Sequence, residues 1–312
     1  MSFAAMMLIA CAIDLAFGWP EALFRRIGHP VTWLGALIAT LDRRLNREGT
    51  ARRARGVLAA LFTIALAAGA GAVAQALLPA GPLGIVIGGV LAWPLVAIRS
   101  MHDHVAAVAR PLVAGDLGAA RQAVSMIVGR DPAALDEAGV ARAALESLAE
   151  NSSDGITAPL FWGVVAGLPG IAAYKAINTL DSMIGHRTAR HEAFGWAAAR
   201  IDDVANLIPA RLTGVIFALV SRAPGRALAV MARDARAHRS PNAGWPEAAL
   251  AGALGVRLSG PRIYGTTVAA EPWLNGTAPD PAPLDLARGL ALYRRAMAGL
   301  GLLLAAAAVW GI

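Results

Sequence analysis

The residues with most chemistry to offer stand in four short clusters in the middle of the chain. The densest is Glu146-Ser-Leu-Ala-Glu150-Asn151-Ser-Ser-Asp154-Gly155. Its three acids are spaced by four, so one helix would stack their carboxylates along one face. Like charges at that spacing repel. A divalent cation would relieve the repulsion, and Mg²⁺ takes carboxylate oxygens together with substrate phosphates. The competing reading is a solvated helix face that stops at Gly155. In the second cluster, Asn178-Thr-Leu-Asp181-Ser182, the residues Asn178, Asp181 and Ser182 share a helix face; here the alternative is a helix end capped by its own side chains. The third is Arg200-Ile-Asp202-Asp203-Val-Ala-Asn206, with Arg211 just beyond Pro209. Adjacent carboxylates at the mouth of an apolar segment are costly without a cation, whether a metal or an arginine. The fourth, Ser240-Pro-Asn242-Ala-Gly-Trp-Pro-Glu247, reads as a rigid loop with a helix opening at Pro246. Loops of this kind often carry binding groups.

Acids and amides beside arginines suit an anionic substrate with a metal, since guanidinium pairs with phosphate or carboxylate. They fit a phosphate-handling membrane enzyme or an ion-coupled transporter. The sequence has no G-x-x-x-x-G-K-[ST], and its one lysine is Lys175, so a nucleotide site here is not a P-loop. G-x-S-x-G, H-E-x-x-H and the dinucleotide fingerprint are also absent. His102-Asp-His104 has metal-pair spacing only on a strand, and on the helix expected there the rings diverge. His29 and His238 read as turn or surface histidines.

The elements that position these clusters are apolar. Of 312 residues 57% are hydrophobic and only 16% charged, against about a quarter in soluble domains. The net charge of +7 rests on arginines beside apolar runs, not on a basic face interleaved with aromatics, which favours lipid over nucleic acid. The single Cys11 excludes a disulfide framework within one chain. The expected fold is all-α: one membrane-embedded, multi-pass helical domain over residues 1–312, with cytoplasmic helical loops. Candidate spans are 1–17, 56–78, 82–98, 156–177, 204–220 and 296–312. The first reads as a retained span, not a cleaved signal. Residues 156–177 and 204–220 carry Pro, Gly and a basic residue each, so they are ordinary spans or re-entrant helices lining a polar cavity. The arginines between Gly18 and Arg55 place that loop in the cytoplasm. If 156–177 crosses simply, Arg187, Arg190, Arg200, Asp202 and Asp203 face outward. Asp131 is the expected N-cap, with Pro132 at N1, of a helix running to about Glu150. Internal repeats of the kind transporters carry are absent.

Five ordered blocks carry a resemblance: Ser125-Met-Ile-Val-Gly-Arg130-Asp131, the Glu146–Gly155 cluster, Asn178-Thr-Leu-Asp181-Ser182-Met, Gly195-Trp-Ala-Ala-Ala-Arg200-Ile-Asp202-Asp203, and the Ser240–Glu247 loop. Together they resemble the cobalamin-biosynthesis adenosylcobinamide-phosphate synthase family, from the first span to about Gly265. The family's early Gly-Asp-Pro reads Gly18-Trp19-Pro20 here, and His186 stands where a tyrosine is expected. The resemblance implies an acid–amine ligase. It would join (R)-1-aminopropan-2-ol, or its phosphate, to the free propionate of adenosylcobyric acid, with ATP and Mg²⁺, at the bacterial inner membrane with a cytoplasmic active site. On that reading Glu146, Glu150 and Asp154, with Asp181, Asp202 and Asp203, hold Mg²⁺ and nucleotide phosphates. Arg130, Arg200 and Arg211 bind phosphate, and Asn151, Asn178, Ser182 and Asn242 orient the substrates. Glu247 or an aspartate takes the amine's proton. A shallow membrane cavity would receive the amphipathic corrinoid. Expected partners are these substrates, the bilayer, and a second copy or other corrinoid-pathway enzymes; nucleic acid is not among them. The alternative is a membrane sensor like the β-lactamase-induction proteins, which have a similar plan and no turnover.

Overall fold

Runs rich in Ala and Leu favour helix, and a bilayer obliges the backbone to satisfy its own hydrogen bonds. The computed structural model, which describes residues 1–128, 132–264 and 267–311, is accordingly an all-α, multi-pass membrane protein. In chain order its α-helices are α1 Phe3–Phe17, α2 Glu21–Ile27, α3 Pro30–Leu45, α4 Arg52–Ala76, α5 Pro82–Ala92, α6 Ile98–Val113, α7 Leu117–Val124, α8 Glu137–Ser152, α9 Ala158–Leu180, α10 Trp196–Ala205, α11 Leu207–Leu219, α12 Pro224–Asp234, α13 Gly244–Leu254 and α14 Pro283–Val309. Among the described residues the strands form two short antiparallel ribbons, Leu258–Ser259 with Trp273–Leu274 and Arg262–Tyr264 with Thr267–Ala269.

Among the described residues, four helical stretches are long and apolar enough to cross a bilayer: Arg52–Ala76, Pro82–Val113, Glu137–Gly185 and Pro283–Val309. The pair Phe3–Phe17 and Glu21–Leu45 passes the same test together, bent by 110°. With 13 residues, α11 is about 20 Å long, short of a hydrocarbon core of ~30 Å.

The chain divides into two compact units. The first comprises Met1–Ala97, Ala158–Asn206 and Gly301–Ile312. Here α4 lies along α9, and small residues allow the close approach that membrane helices use in place of a hydrophobic drive. A Cβ on Gly71 would fall 2.6 Å from the Leu168 carbonyl oxygen. Gly71→Val is therefore expected to cost ~1–3 kcal/mol, an overpacking penalty read as a lower Tm in detergent; an unchanged Tm would show that α4 can shift freely.

Though counted within one long apolar stretch, α9 is not one straight helix. Gly167 adopts φ 66°, ψ −145°, which glycine tolerates and other residues resist. The chain doubles back there: a Cβ on Gly170 would lie 2.1 Å from the Trp162 carbonyl oxygen, eight residues earlier, and Ala158 packs in one cluster with Tyr174. The Leu168 N–H exposed by the break donates to Gln75 Oε1 at 2.9 Å, so the irregular backbone is satisfied inside the protein. After this reversal the chain returns to the arginine-rich end. Arg190 pairs with Asp42 at 2.6 Å, and its carbonyl accepts from Asn46 and Arg52. Residues around Arg190 thus lie beside the loop before α4.

The second unit comprises Ile98–Thr157 and Leu207–Leu300. Its centre is α8, buried almost throughout and packed on α13, with Gly289 of α14 against Leu145. This helix opens later than expected. Asp136 is its N-cap, accepting from the Gly139 N–H at 2.7 Å, while Pro132 lies in the preceding turn and Asp131 falls outside the described residues. By contrast α13 opens earlier, at Gly244 and not Pro246, because Ser240 Oγ accepts the N–H groups of Asn242 and Ala243 and starts the turn. Asp280 ties this unit together by pairing with Arg142 at 3.0 Å and Arg257 at 2.5 Å, and both guanidiniums stack on Trp273.

The Arg257 hydrogen bond holds the Asp280 carboxyl below the ordinary carboxylate range. A pKa lowered by folding stabilises above the unfolded value, and that contribution fades as pH falls through the folded value. Asp280→Asn should therefore melt below wild type at neutral pH, with the gap closing under about pH 4. A gap independent of pH would assign the effect to packing.

Candidate active site

The polar clusters distribute over both units, and each unit builds its own group. In the first, α9 passes at Asp181 into a π-helical turn, Asp181–Gly185, a distortion frequent at functional sites. The Asp181 carboxylate lies over Gly185, where a Cβ would meet its Oδ1 at 1.9 Å. From α10 come Arg200 and Asp203, joined at 3.0 Å, and Asp181 is within electrostatic reach of Asp203, Arg200 and His186. Two carboxylates, a guanidinium and an imidazole thus gather where the apolar helices end. Asn178 lies one turn before Asp181. Ser182 Oγ donates to the Asn178 carbonyl at 2.8 Å, as the capped-helix reading anticipates.

Asp202 belongs to another network. It accepts from Asn206 Nδ2 at 3.0 Å, and Asn206 Oδ1 accepts the Tyr174 hydroxyl at 2.8 Å. Both Asn206 and Tyr174 are buried. The i, i+4 spacing points to Asn206, but nothing in the sequence marks Tyr174.

In the second unit Glu146 is buried, and its Oε1 accepts the Ser259 N–H at 2.7 Å. Ser259 has φ 60°, rare for a residue with a side chain, and this bond helps to hold it there. Glu150 and Asn151 are exposed on α8, with Asn151 Nδ2 donating to the Ser147 carbonyl at 3.0 Å. The helix becomes π-helical at Ser153–Thr157, and Asp154 stands in that turn. The three acids are not gathered into a ready cage: among the described residues no group of three His, Cys, Asp or Glu side chains is placed to hold a metal ion.

The Ser240–Glu247 loop supplies the rest. The Arg211 guanidinium stacks 4.4 Å from the Trp245 ring and donates to Asn242 Oδ1 at 3.4 Å, so Arg211, Trp245 and Asn242 form a planar cationic shelf. Glu247, 2% exposed, faces His238, 4% exposed by side chain, at 3.7 Å. His238 stands in a turn, as one of the two expected readings has it, but its side chain is not on the surface, because the turn at Ser240 folds it inward. The Ser240 N–H donates to its Nδ1 at 3.1 Å, and its Nε2 lies 3.7 Å from Glu247 Oε1. His102 and His104 diverge on α6 as expected: His102 meets Asp103 and His104 meets the Ser100 carbonyl. Arg130 lies outside the described residues.

Comparison with known proteins places these blocks in context. Residues 7–293 match the family described as CobD/Cbib protein. A relative from Rhodobacter capsulatus, named cobalamin biosynthesis protein CobD, is 73% identical over 100% of both chains. Proteins of the same name from a Sinorhizobium species and from Brucella suis biovar 1 are each 48% identical. They cover 96% of this chain, and 97% and 96% of their own lengths. No solved structure matches.

Proposed function

The chain belongs to the CobD/Cbib family and acts in cobalamin biosynthesis, and from that premise we propose that it is an amide ligase. It joins (R)-1-aminopropan-2-ol, or its phosphate, to the free propionate of adenosylcobyric acid and yields adenosylcobinamide or its phosphate. The observation that carries the reading is the Arg200–Asp203 pair on α10, 3.0 Å apart, with Asp181 at the end of α9 within electrostatic reach of both.

A carboxylate does not form an amide until one of its oxygens can leave. In the proposed sequence a propionate oxygen attacks the terminal phosphorus of ATP and ADP departs, giving an acyl phosphate. The amine nitrogen, having lost a proton, then attacks the acyl carbon and phosphate leaves. Arg200 neutralises charge on the transferring phosphoryl group, and Asp203, paired with it at 3.0 Å, holds that guanidinium in place. Arg130 is a further phosphate ligand. The Arg211–Asn242 shelf suits the phosphate or hydroxyl of the amino alcohol. Asn151 and Asn178 offer amides to the corrinoid's own amides, and Glu247 takes the amine's proton. Mg²⁺ belongs to this reading as the companion of ATP, not as a resident ion, because the acids form no closed metal site among the described residues. The site faces the cytoplasm of a bacterial inner membrane, on the side of the arginine-rich loop that grips Arg190.

The test is turnover by membranes holding the full chain, given adenosylcobyric acid, either amine form, ATP and Mg²⁺, with corrinoids resolved by mass. A product heavier by the amidated amino alcohol and dependent on ATP is expected. No product with either amine, from protein shown to be folded, would end the ligase reading and favour the sensor.

A further inference from the structure

A pocket of about 750 Å³ opens in the first unit, in the fork of the doubled-back α9 and against α10 and the start of α4. Its walls include Trp162, Ala173, Tyr174, Ile177, Ile201 and Val204. The two polar atoms among these side chains are already committed: the Trp162 indole N–H donates to the Ala205 carbonyl, and the Tyr174 hydroxyl to Asn206. A corrinoid's amides would find no partners in such a wall, and each amide buried without one costs several kcal/mol. A corrinoid therefore does not suit this pocket. Hydrocarbon does suit it.

The rim has a different character. Trp196 is 41% exposed there, with the Arg53 guanidinium stacked 3.6 Å from its ring, and Arg200 also borders the opening. Among the described residues no carboxylate pairs with Arg53. Val204, a wall residue, is 67% exposed, and α4 presents Leu58, Leu61 and Phe62 outward, as helices do toward lipid. A dry pocket open to the bilayer, with tryptophan and arginine at its lip, has the profile of a membrane interface: acyl chain below, phosphate above.

We infer that this pocket holds an acyl chain of an anionic phospholipid, with the lipid phosphate on Arg53. The inference is independent of the reaction proposed above. It gives the break at Gly167 a use, since only a folded-back α9 opens a fork between its limbs.

The test is native mass spectrometry of the full chain released from bilayers of equal phosphatidylglycerol and phosphatidylcholine. Wild type is expected to retain one phosphatidylglycerol per chain. Ala173→Phe, which fills the pocket, should lower retention of either lipid by about tenfold or more. Arg53→Gln leaves the wall intact and should cut the preference for phosphatidylglycerol about fivefold, the value of one interfacial arginine. As a second readout, phosphatidylglycerol brominated on its acyl chain should quench tryptophan fluorescence in wild type and less in Ala173→Phe. Wild type that retains no lipid, or retains both lipids equally, overturns the inference. So does undiminished preference in Arg53→Gln, which keeps the test decisive if Ala173→Phe does not fold. A lipid-free dimer of the chain would also overturn it.

Discussion

Asp181→Ala is expected to reduce ligation by about 100-fold or more while the protein keeps its wild-type Tm, and Asp202→Ala to lower the Tm itself. The two acids stand in the same stretch of apolar-helix ends, but their partners differ. Asp181 faces Asp203, Arg200 and His186, a set with no packing role that alanine would disturb. Its loss removes a negative charge from the neighbourhood of Arg200, which keeps its pair with Asp203. Asp202 instead anchors Asn206, which in turn accepts from the buried Tyr174. Truncating it strands an amide hydrogen inside the protein, at ~1–3 kcal/mol. Turnover at saturating ATP and corrinoid, set beside Tm in the same detergent, separates the two. Full activity in a folded Asp181→Ala protein would remove Asp181 from the site. Lost activity at unchanged Tm in Asp202→Ala would move Asp202 into it.

The contrast shows which properties a linear sequence carries. Apolar length is local, so α4 is visible as an uncharged run from Gly56, and the helix class follows. The irregularity of residues 156–177 is visible too, in Pro159, Gly167, Pro169 and Lys175. Its outcome is not: the reversal depends on Gln75 reaching Leu168 from another helix. Spacing by four assumes an unbroken α-helix, and the π turn that opens at Ser153 is not legible in it. The cap signal at Asp131 places the start of α8 too early; the helix opens after Asp136, whose side chain meets Gly139. The clusters themselves are legible as clusters. Which members meet is not, since Asp203 joins Arg200 while its neighbour joins Asn206.

Glu247→Gln tests the least local of these assignments. The substitution keeps the shape of the side chain in the first turn of α13 and removes its ability to take a proton. Turnover should fall by about 100-fold, the usual contribution of a positioned general base. If the lost step is deprotonation of the amine, the deficit should shrink as pH rises, because solvent then supplies the free amine. On this reading His238 works through Glu247 electrostatically: its Nδ1 accepts the Ser240 N–H, which sets the ring with Nε2 3.7 Å from the carboxylate. His238→Asn should therefore lower turnover less than Glu247→Gln and leave the pH dependence of the remaining rate like that of wild type. A Glu247→Gln enzyme with wild-type turnover at every pH would leave the base to an aspartate. A deficit that stays constant across pH, with a lowered Tm, would make the buried Glu247–His238 pair a structural one.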